Sequence, residues 1–562
     1  MNKIKRAFEK RDELKTDLLW LFEQSRGVYK YILCFFLISL AGMLFSMVSP
    51  VASKYVVDSV TGGERGFDMR YAAVMLAATL ISVIFGAFSS IFSSYVNEKF
   101  AFNVRAKMFD RTQRGQWKAI TSFHSGDMLA RLTGDVNTIA SNIIGLLPGL
   151  LVTTLQLCII LVILLRVDPV LALIGLIVGP LGVISALFFK KPYQRCQKVL
   201  RESQSEYYTF FQEMLGNLDV VKTFQAENAN NASFASFRER RMQTVMQSAR
   251  LGAAMSSVMR ILYGAGYVLA FCWCAGKMGS NPTYTYGTMT LFLSLVSLLQ
   301  GAIKSLGGVI PAFYSTLVSA RRVREITGQF PEQPGKEESI PAFAGVSLQN
   351  VSFAYDGANV LNNVSFEASA CEKIAVTGAS GAGKTTLIRL LAALTEPDSG
   401  TVEFITEQGR EKAAPATRRL ISYVPQGNTL LTGSVRDNLL LGDPAADDEK
   451  MWNALALAGA EEFIRRDERG LDMPIKERSG GVSAGQAQRI CIARALLRDR
   501  PVMIFDEATA ALDEETERRI FENLAADKNK TYFIITHRSS MLRYCTARLA
   551  IDGEGHAQYT RL

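Results

Sequence analysis

Apolar and polar positions divide the chain into two regimes. In the first, long apolar runs recur near 31–56, 71–95, 143–165, 169–189, 253–279 and 284–310. Each is close to or above the roughly 20 helical residues that cross about 30 Å of hydrocarbon, so six spanning helices are predicted. The connections around Thr61 to Asp68, Arg166 to Asp168 and Gly279 to Tyr284 are brief and are expected to face outward. The other two, about 97–141 and 190–250, are long and basic, with Lys99, Arg105, Lys107 and Arg111 in one and Lys190, Lys191, Arg195 and Arg238 in the other. Both hold a helical apolar rhythm with little Pro or Gly, which predicts stalks that continue the spans into water. Their charge, with that of the basic N-terminus, puts both loops and both chain ends in the cytoplasm and makes a multi-pass protein of the cell (plasma) membrane.

The second regime begins after a polar stretch rich in Pro and Gly, Thr327 to Glu338, which reads as a linker. Beyond it, β-rich runs such as Val346 to Phe353 and Lys373 to Thr377 alternate with helical patterns. The expected fold is multidomain: an all-α six-helix transmembrane domain over 1–325, a linker over 326–345 and a mixed α/β domain over 346–562.

Composition sharpens this picture without changing it. A mean hydropathy of +0.12 is too apolar for a wholly soluble chain of 562 residues. The formal charge of +9 lies between the apolar runs, as membrane flanks require, so it does not point to nucleic acid. Eight scattered cysteines form no disulfide framework and are read as packing residues. Charge fills residues 1–30 and the first apolar run starts only at Tyr31, late for a cleavable signal, so that run is expected to be retained.

Three segments of the second regime carry chemistry. Gly378-Ala-Ser380-Gly381-Ala-Gly383-Lys384-Thr385-Thr386 follows a strand-like run and precedes a helical one. Small residues there let successive backbone N–H groups face a phosphate at a helix N-terminus, while Lys384 adds a point charge and Thr385 offers a hydroxyl to Mg²⁺. Val502-Met-Ile-Phe-Asp506-Glu507 is an unalternating apolar run, as in a buried parallel strand, that ends in two acids. Asp506 would hold Mg²⁺ and Glu507 would polarise the attacking water; the alternative is a pair of solvated loop charges. His537 ends the strand-like run Tyr532 to Thr536, where contact with a γ-phosphate competes with a purely structural role.

Thr385, Asp506, Glu507 and His537, with Val482-Ser483-Ala-Gly485-Gln486, resemble the nucleotide-binding domain of an ABC transporter, whose signature is usually Leu-Ser-Gly-Gly-Gln. Val482 and Ala484 depart from that signature, whereas Ser483, Gly485 and Gln486 match it. By this resemblance Tyr355 stacks on adenine and Gln426 touches Mg²⁺ and the attacking water. Thr432 to Asn438 opens a helical subdomain, Glu477 contacts the stalks, and Asp513 lies in a loop that crosses a dimer interface. The segments from Phe123 and from Phe211 are similar to the two intracellular coupling loops of the exporter class.

The resemblance implies a half-transporter. Its ATP is closed in by the signature of a second copy or of a related half-transporter, and alternating access exports an amphipathic small molecule, lipid or peptide. Uptake of a metal chelate, or service as one subunit of a heterodimer, is the alternative on the same fold. A soluble ATPase with a membrane anchor would need one or two spans rather than six. No protease-like segment precedes the first run, which argues against a leader-cleaving peptide exporter. Arg260 and Lys304 fall near the inner leaflet; snorkelling to headgroups accounts for both, and a basic vestibule for an anionic or amphipathic substrate is the alternative.

Overall fold

A computed structural model describes residues 2–61, 67–123, 125–278, 284–328, 332, 340–355, 357–476, 480–536 and 538–562. The chain forms two compact units, residues 1–110 with 125–327, and residues 111–124 with 328–562.

The first unit is helical. Its elements are α1 (Asn2–Ser25), α2 (Tyr29–Thr61) and α3 (Met69–Arg114), whose last turn belongs to the second unit together with α4 (Trp117–Thr121). Then follow α5 (Ser125–Ala130), α6 (Val136–Val167), α7 (Pro169–Gly216), α8 (Leu218–Thr223), α9 (Glu227–Lys277), α10 (Tyr286–Gly307) and α11 (Val309–Thr327). At 46, 48 and 51 residues, α3, α7 and α9 are each roughly twice as long as a bilayer requires. Long stalks thus continue the spans, as the rhythm of the basic loops predicts. Among the described residues, five helical segments are long and apolar enough to cross a membrane: Asp12–Thr61, Met69–Arg114, Gly126–Arg166, Glu227–Lys277 and Tyr286–Thr327. The remaining expected run, 169–189, forms the start of α7, where several side chains lie outside the described set.

Asp168 makes the corner between α6 and α7. Its carboxylate accepts from the Val170 N–H at 2.7 Å and Pro169 opens the helix, a combination that satisfies one free amide and omits another. Trp273 Nε1 also donates to Asp168, at 2.8 Å, so α9 is tied to that corner. Met43, Met47, Ile160, Leu164, Leu171, Phe292 and Leu295 form the core of this unit. Val83, Ile84 and Ile91 of α3 stay exposed, a surface that lipid solvates and water does not.

The second unit is α/β. In chain order it contains β1 (Phe343–Tyr355), β2 (Ala358–Ser369), β3 (Lys373–Gly378), α12 (Lys384–Leu391), β4 (Ser399–Thr406), β5 (Gly409–Lys412), β6 (Ile421–Val424), β7 (Gly433–Ser434) and α13 (Val435–Leu440). It continues with α14 (Asp448–Leu457), α15 (Glu461–Arg465), β8 (Pro474–Ile475), α16 (Ala484–Arg498), β9 (Val502–Asp506), α17 (Glu514–Ala526), β10 (Thr531–Ile535), β11 (Ala547–Ile551) and β12 (Ala557–Arg561). An antiparallel sheet runs β2-β1-β4-β5 and a second sheet runs β12-β11-β3-β10-β9-β6. In the second, β11, β3, β10, β9 and β6 are mutually parallel and only β12 is reversed.

All five residues of β9 and of β10 are buried, which explains their unbroken apolar sequence. Ile535 pairs with both Val376 and Asp506, and Val424 with Phe505, so the carboxyl ends of four parallel strands share one edge. Loops leaving that edge form the usual ligand crevice of an open α/β sheet. All eight cysteines are free; Cys274 and Cys491 are buried as packing residues, whereas Cys34, Cys158, Cys272 and Cys371 are exposed, contrary to a uniform packing role. The apolar character of their sequence neighbours does not fix which face of an element is covered.

Candidate nucleotide site

The loop after β3 carries Gly378, Ser380, Gly381 and Gly383 into α12. Gly383 is the N-cap of α12 at φ +96°, and a Cβ there would come within 2.9 Å of the Val360 carbonyl oxygen. No side chain caps α12, so its first amides are left for an anion, where the helix dipole also favours negative charge. Lys384 is buried; its ammonium donates to the carbonyls of Gly378 at 2.9 Å and Ala379 at 2.8 Å, which holds the charge beside the loop. Thr386 is buried in the same first turn.

Beside this loop lies Asp506, 1% exposed at the end of β9. The Thr385 hydroxyl donates to one of its oxygens at 3.4 Å and the Tyr423 hydroxyl to the other at 3.3 Å. Burial pushes the Asp506 carboxyl above the usual range, the Tyr423 bond partly opposes this, and the Glu507 charge adds to it. Burial beside Asp506 pushes the Tyr423 hydroxyl up as well. Glu507 follows at φ +48°, a left-handed conformation that costs a non-glycine residue on the order of 1–3 kcal/mol. The Gln426 side-chain amide donates to its carboxylate at 2.7 Å. Strand order, not sequence proximity, brings Gln426, Asp506 and Glu507 to Thr385.

Tyr355, 37% exposed, turns the edge of its ring to Phe353 at 4.8 Å between centroids. Its hydroxyl accepts from Arg389 of α12 at 3.1 Å, so an aromatic face stands beside the phosphate loop. Ser483 and Gln486 form a capping box on α16: Ser483 Oγ accepts from the Gln486 N–H at 3.2 Å and Gln486 Oε1 from the Ser483 N–H at 2.8 Å. A Cβ on Gly485 would meet the Ala511 carbonyl oxygen at 2.8 Å, so only glycine lets α16 approach the loop before α17 this closely. Asp513 caps α17 by accepting from the Thr516 N–H at 2.8 Å, and that bond holds its carboxyl below the usual range. Ser434 and Asp437 cap α13, the helix expected from Thr432 to Asn438. His537 and Glu477 lie outside the described residues. Arg260 and Lys304 are both exposed on their helices.

Several residues at the site carry no sequence signal of their own. Tyr423 and Arg389 are two. A third group is Glu517, buried in α17, which accepts from the Thr509 hydroxyl at 2.6 Å and pairs with Arg538. Arg538 also donates to the Leu512 carbonyl at 3.3 Å, and Gln488 accepts from the Ala511 N–H at 3.0 Å. These bonds fix residues 509–512, between the two acids and α17. Tyr423 stands two residues before Pro425 in the run that ends at Gln426, and only that proximity could have singled it out.

Two family models match the chain, an ABC transporter transmembrane region over residues 32–303 and an ABC transporter model over residues 361–510. An ATP-dependent lipid A-core flippase of Syntrophus aciditrophicus is 29% identical over 478 residues, 84% of this chain and 79% of the relative. A putative multidrug export ATP-binding/permease protein of Bacillus subtilis, YgaD, is 28% identical over 531 residues, 92% and 91% of the two chains. Among solved structures, a bacterial Atm1-family ABC exporter with ATP bound superposes with a TM-score of 0.80 at 22% identity over 95% of both chains, a likeness of fold. With a spanning helical domain fused ahead of one ATP-binding domain, the chain belongs to the ABC transporter family and couples ATP hydrolysis to transport across a membrane.

Proposed function

We propose that two copies of this chain, or this chain and a related half-transporter, close two ATP molecules between them and export an amphipathic, lipid-like molecule by alternating access. The Gln426–Glu507 bond beside the partly buried Thr385–Asp506 pair carries this reading, because it supports a cation site and a water-activating acid at the carboxyl edge where the phosphate loop opens. In this reading Tyr355 stacks on adenine, and the amides of Gly381 to Thr386 with the Lys384 ammonium take the phosphates. To do so, Lys384 exchanges two backbone carbonyls for phosphate oxygens.

Asp506, the Thr385 hydroxyl and the Gln426 carbonyl fit Mg²⁺, a hard cation that prefers oxygen donors; a carboxyl raised by burial and bonded to two hydroxyls gains from a neighbouring positive charge. When bound, Mg²⁺ would supply charge neutralisation on the phosphates. Glu507 accepts the proton of the attacking water while Gln426 holds the carboxylate in line, and His537 contacts the γ-phosphate. Ser483, the Gly485 backbone and the N-terminus of α16 meet the partner's ATP, and Asp513 crosses to the partner. Hydrolysis removes the shared phosphate and lets the two nucleotide domains part.

The basic stalk loops support a cytoplasmic position for both termini and the nucleotide domain. The lipid and multidrug substrates in the names of two relatives favour an amphipathic cargo over a metal chelate. Reconstitution in vesicles that carry fluorescent amphiphiles or a labelled lipid, with ATP added on one side, tests the reading. ATP-dependent movement away from the nucleotide-domain side is expected; movement toward that side, or full ATPase activity in a verified monomer, overturns it.

A further inference from the structure

The stretch after α11 contributes one described residue, Glu332, that meets two elements of the nucleotide unit. Its backbone N–H donates to the carbonyl of Arg114, the last residue of α3, at 2.6 Å. Its carboxylate takes the Arg418 guanidinium in two-pronged fashion, Nη1 to Oε2 at 2.5 Å and Nη2 to Oε1 at 3.1 Å. Both side chains are partly buried, 30% exposed for Arg418 and 19% for Glu332, which sets the pair apart from a fully hydrated surface bridge.

Arg418 faces the nucleotide pocket from behind. Its Nε donates to the Ala392 carbonyl at 3.3 Å and its Nη2 to the Ala393 carbonyl, so it holds the C-terminal end of the helix whose N-terminus is the phosphate loop. Arg418 also lies in the short helical turn Pro415–Leu420, which runs directly into β6. That strand places Tyr423 on Asp506 and leads to Gln426 on Glu507. A guanidinium with all its prongs engaged and a bidentate carboxylate move together, because sliding one past the other breaks two charge-assisted bonds at once. The α12 helix, β6 and the last turn of the apolar helix α3 therefore converge on one ion pair.

We propose that Arg418 and Glu332 are positioning residues through which nucleotide-dependent shifts of α12 and β6 are passed to α3; this rests on residues 378–386 being the ATP site. The pin sits at the opposite end of α12 from residues 378–386, so its loss separates hydrolysis from the response of the membrane helices. A double-mutant cycle at the two positions measures the coupling.

The test uses the full-length protein in lipid nanodiscs, with ATP, Mg²⁺ and orthovanadate, and reads hydrogen exchange by mass spectrometry. In the wild type, trapping is expected to protect 378–386 and to change exchange in the apolar part of α3, residues 69–96. In Glu332→Ala, protection of 378–386 persists while the response of 69–96 falls at least about fivefold; Arg418→Ala does the same, and the double variant loses no more than either single one. An undiminished α3 response in Glu332→Ala, additive losses in the double variant, or a wild type protected at 378–386 with an unresponsive α3 overturns the pin. Absent protection at 378–386 in the wild type overturns the nucleotide site instead. If Arg418→Ala fails to fold, Glu332→Ala and the size-preserving Glu332→Gln, which should lose a smaller share of the response, decide the matter, because both leave the 332 backbone bond in place.

Discussion

Two helix N-termini in the nucleotide unit show opposite treatments of the same physical problem. At α12 the amides have no side-chain cap, and a lysine folds back onto the carbonyls of the loop. At α16 the amides are covered by a reciprocal Ser483–Gln486 box. An uncapped end forgoes about 1 kcal/mol of stability and keeps its dipole free for an anion; a capped end is stable by itself. The first is suited to hold ATP within one chain. The second, in the dimer proposed above, adds its hydroxyl and dipole only when it meets ATP held elsewhere.

The strongest way to break this contrast is Glu507→Gln. Removing the acid that Gln426 orients should lower the ATPase rate by about 10²–10⁴ while nucleotide affinity changes little, as measured by steady-state turnover and binding of a fluorescent ATP analogue. A rate within a few-fold of wild type would remove Glu507 from the chemistry. Next, Lys384→Ala should weaken ATP binding at least about tenfold, the value of a lost charge-assisted bond, with thermal stability almost unchanged because its present partners are carbonyls at the loop surface. Equilibrium dialysis against labelled ATP separates that outcome from simple unfolding.

Ser483→Ala probes the capped end. It should cost about 1 kcal/mol of stability, seen in the melting temperature, and cut ATPase activity several-fold with ATP affinity retained. If it weakened ATP binding as much as Lys384→Ala does, the two ends would not divide the work as described. The smallest effect is expected for Tyr423→Phe. Its hydroxyl lowers the carboxyl pKa of Asp506 against the upward push of burial, so its loss should raise that pKa further. Since the ionised carboxylate is the form that binds a cation, activity should fall as pH drops through a higher value than in the wild type. The expected result is an acid limb shifted upward and a two- to fivefold lower rate near neutrality, measured as a pH–rate profile. An unmoved or downward-shifted limb would show that Tyr423 does not tune Asp506.

Some of this architecture is local and was readable as such. The run Val502 to Asp506 reads as a buried parallel strand and is β9, with all five residues covered on both faces. Lys373 to Thr377 reads as the strand before the phosphate loop and is β3 within one residue. The helical rhythm in the basic loops reads as stalks, and α3 and α7 continue into them as far as Arg114 and Gly216 while α9 returns from Glu227. Other features were silent. Burial of Cys274 next to exposed Cys272 depends on which face of α9 is covered. The insertion of β10 between β3 and β9, the bond of Tyr423 to Asp506 across 83 positions, and the clustering of residues 111–124 with the C-terminal unit have no short-range pattern.

The sequence by itself determined what depends on neighbours along the chain: apolar length sufficient for a bilayer, charge between the spans, small residues where amides must face an anion, and acids at the end of an apolar strand. Tertiary structure decided which of these meet. Pairing of parallel strands fixes their order through contacts between distant segments, and only then do Thr385, Asp506, Glu507 and Gln426 share an edge, or Glu332 find Arg418. Periodicity is set within a few residues, whereas hydrogen bonds between distant side chains form only where the whole chain has collapsed to bring them together.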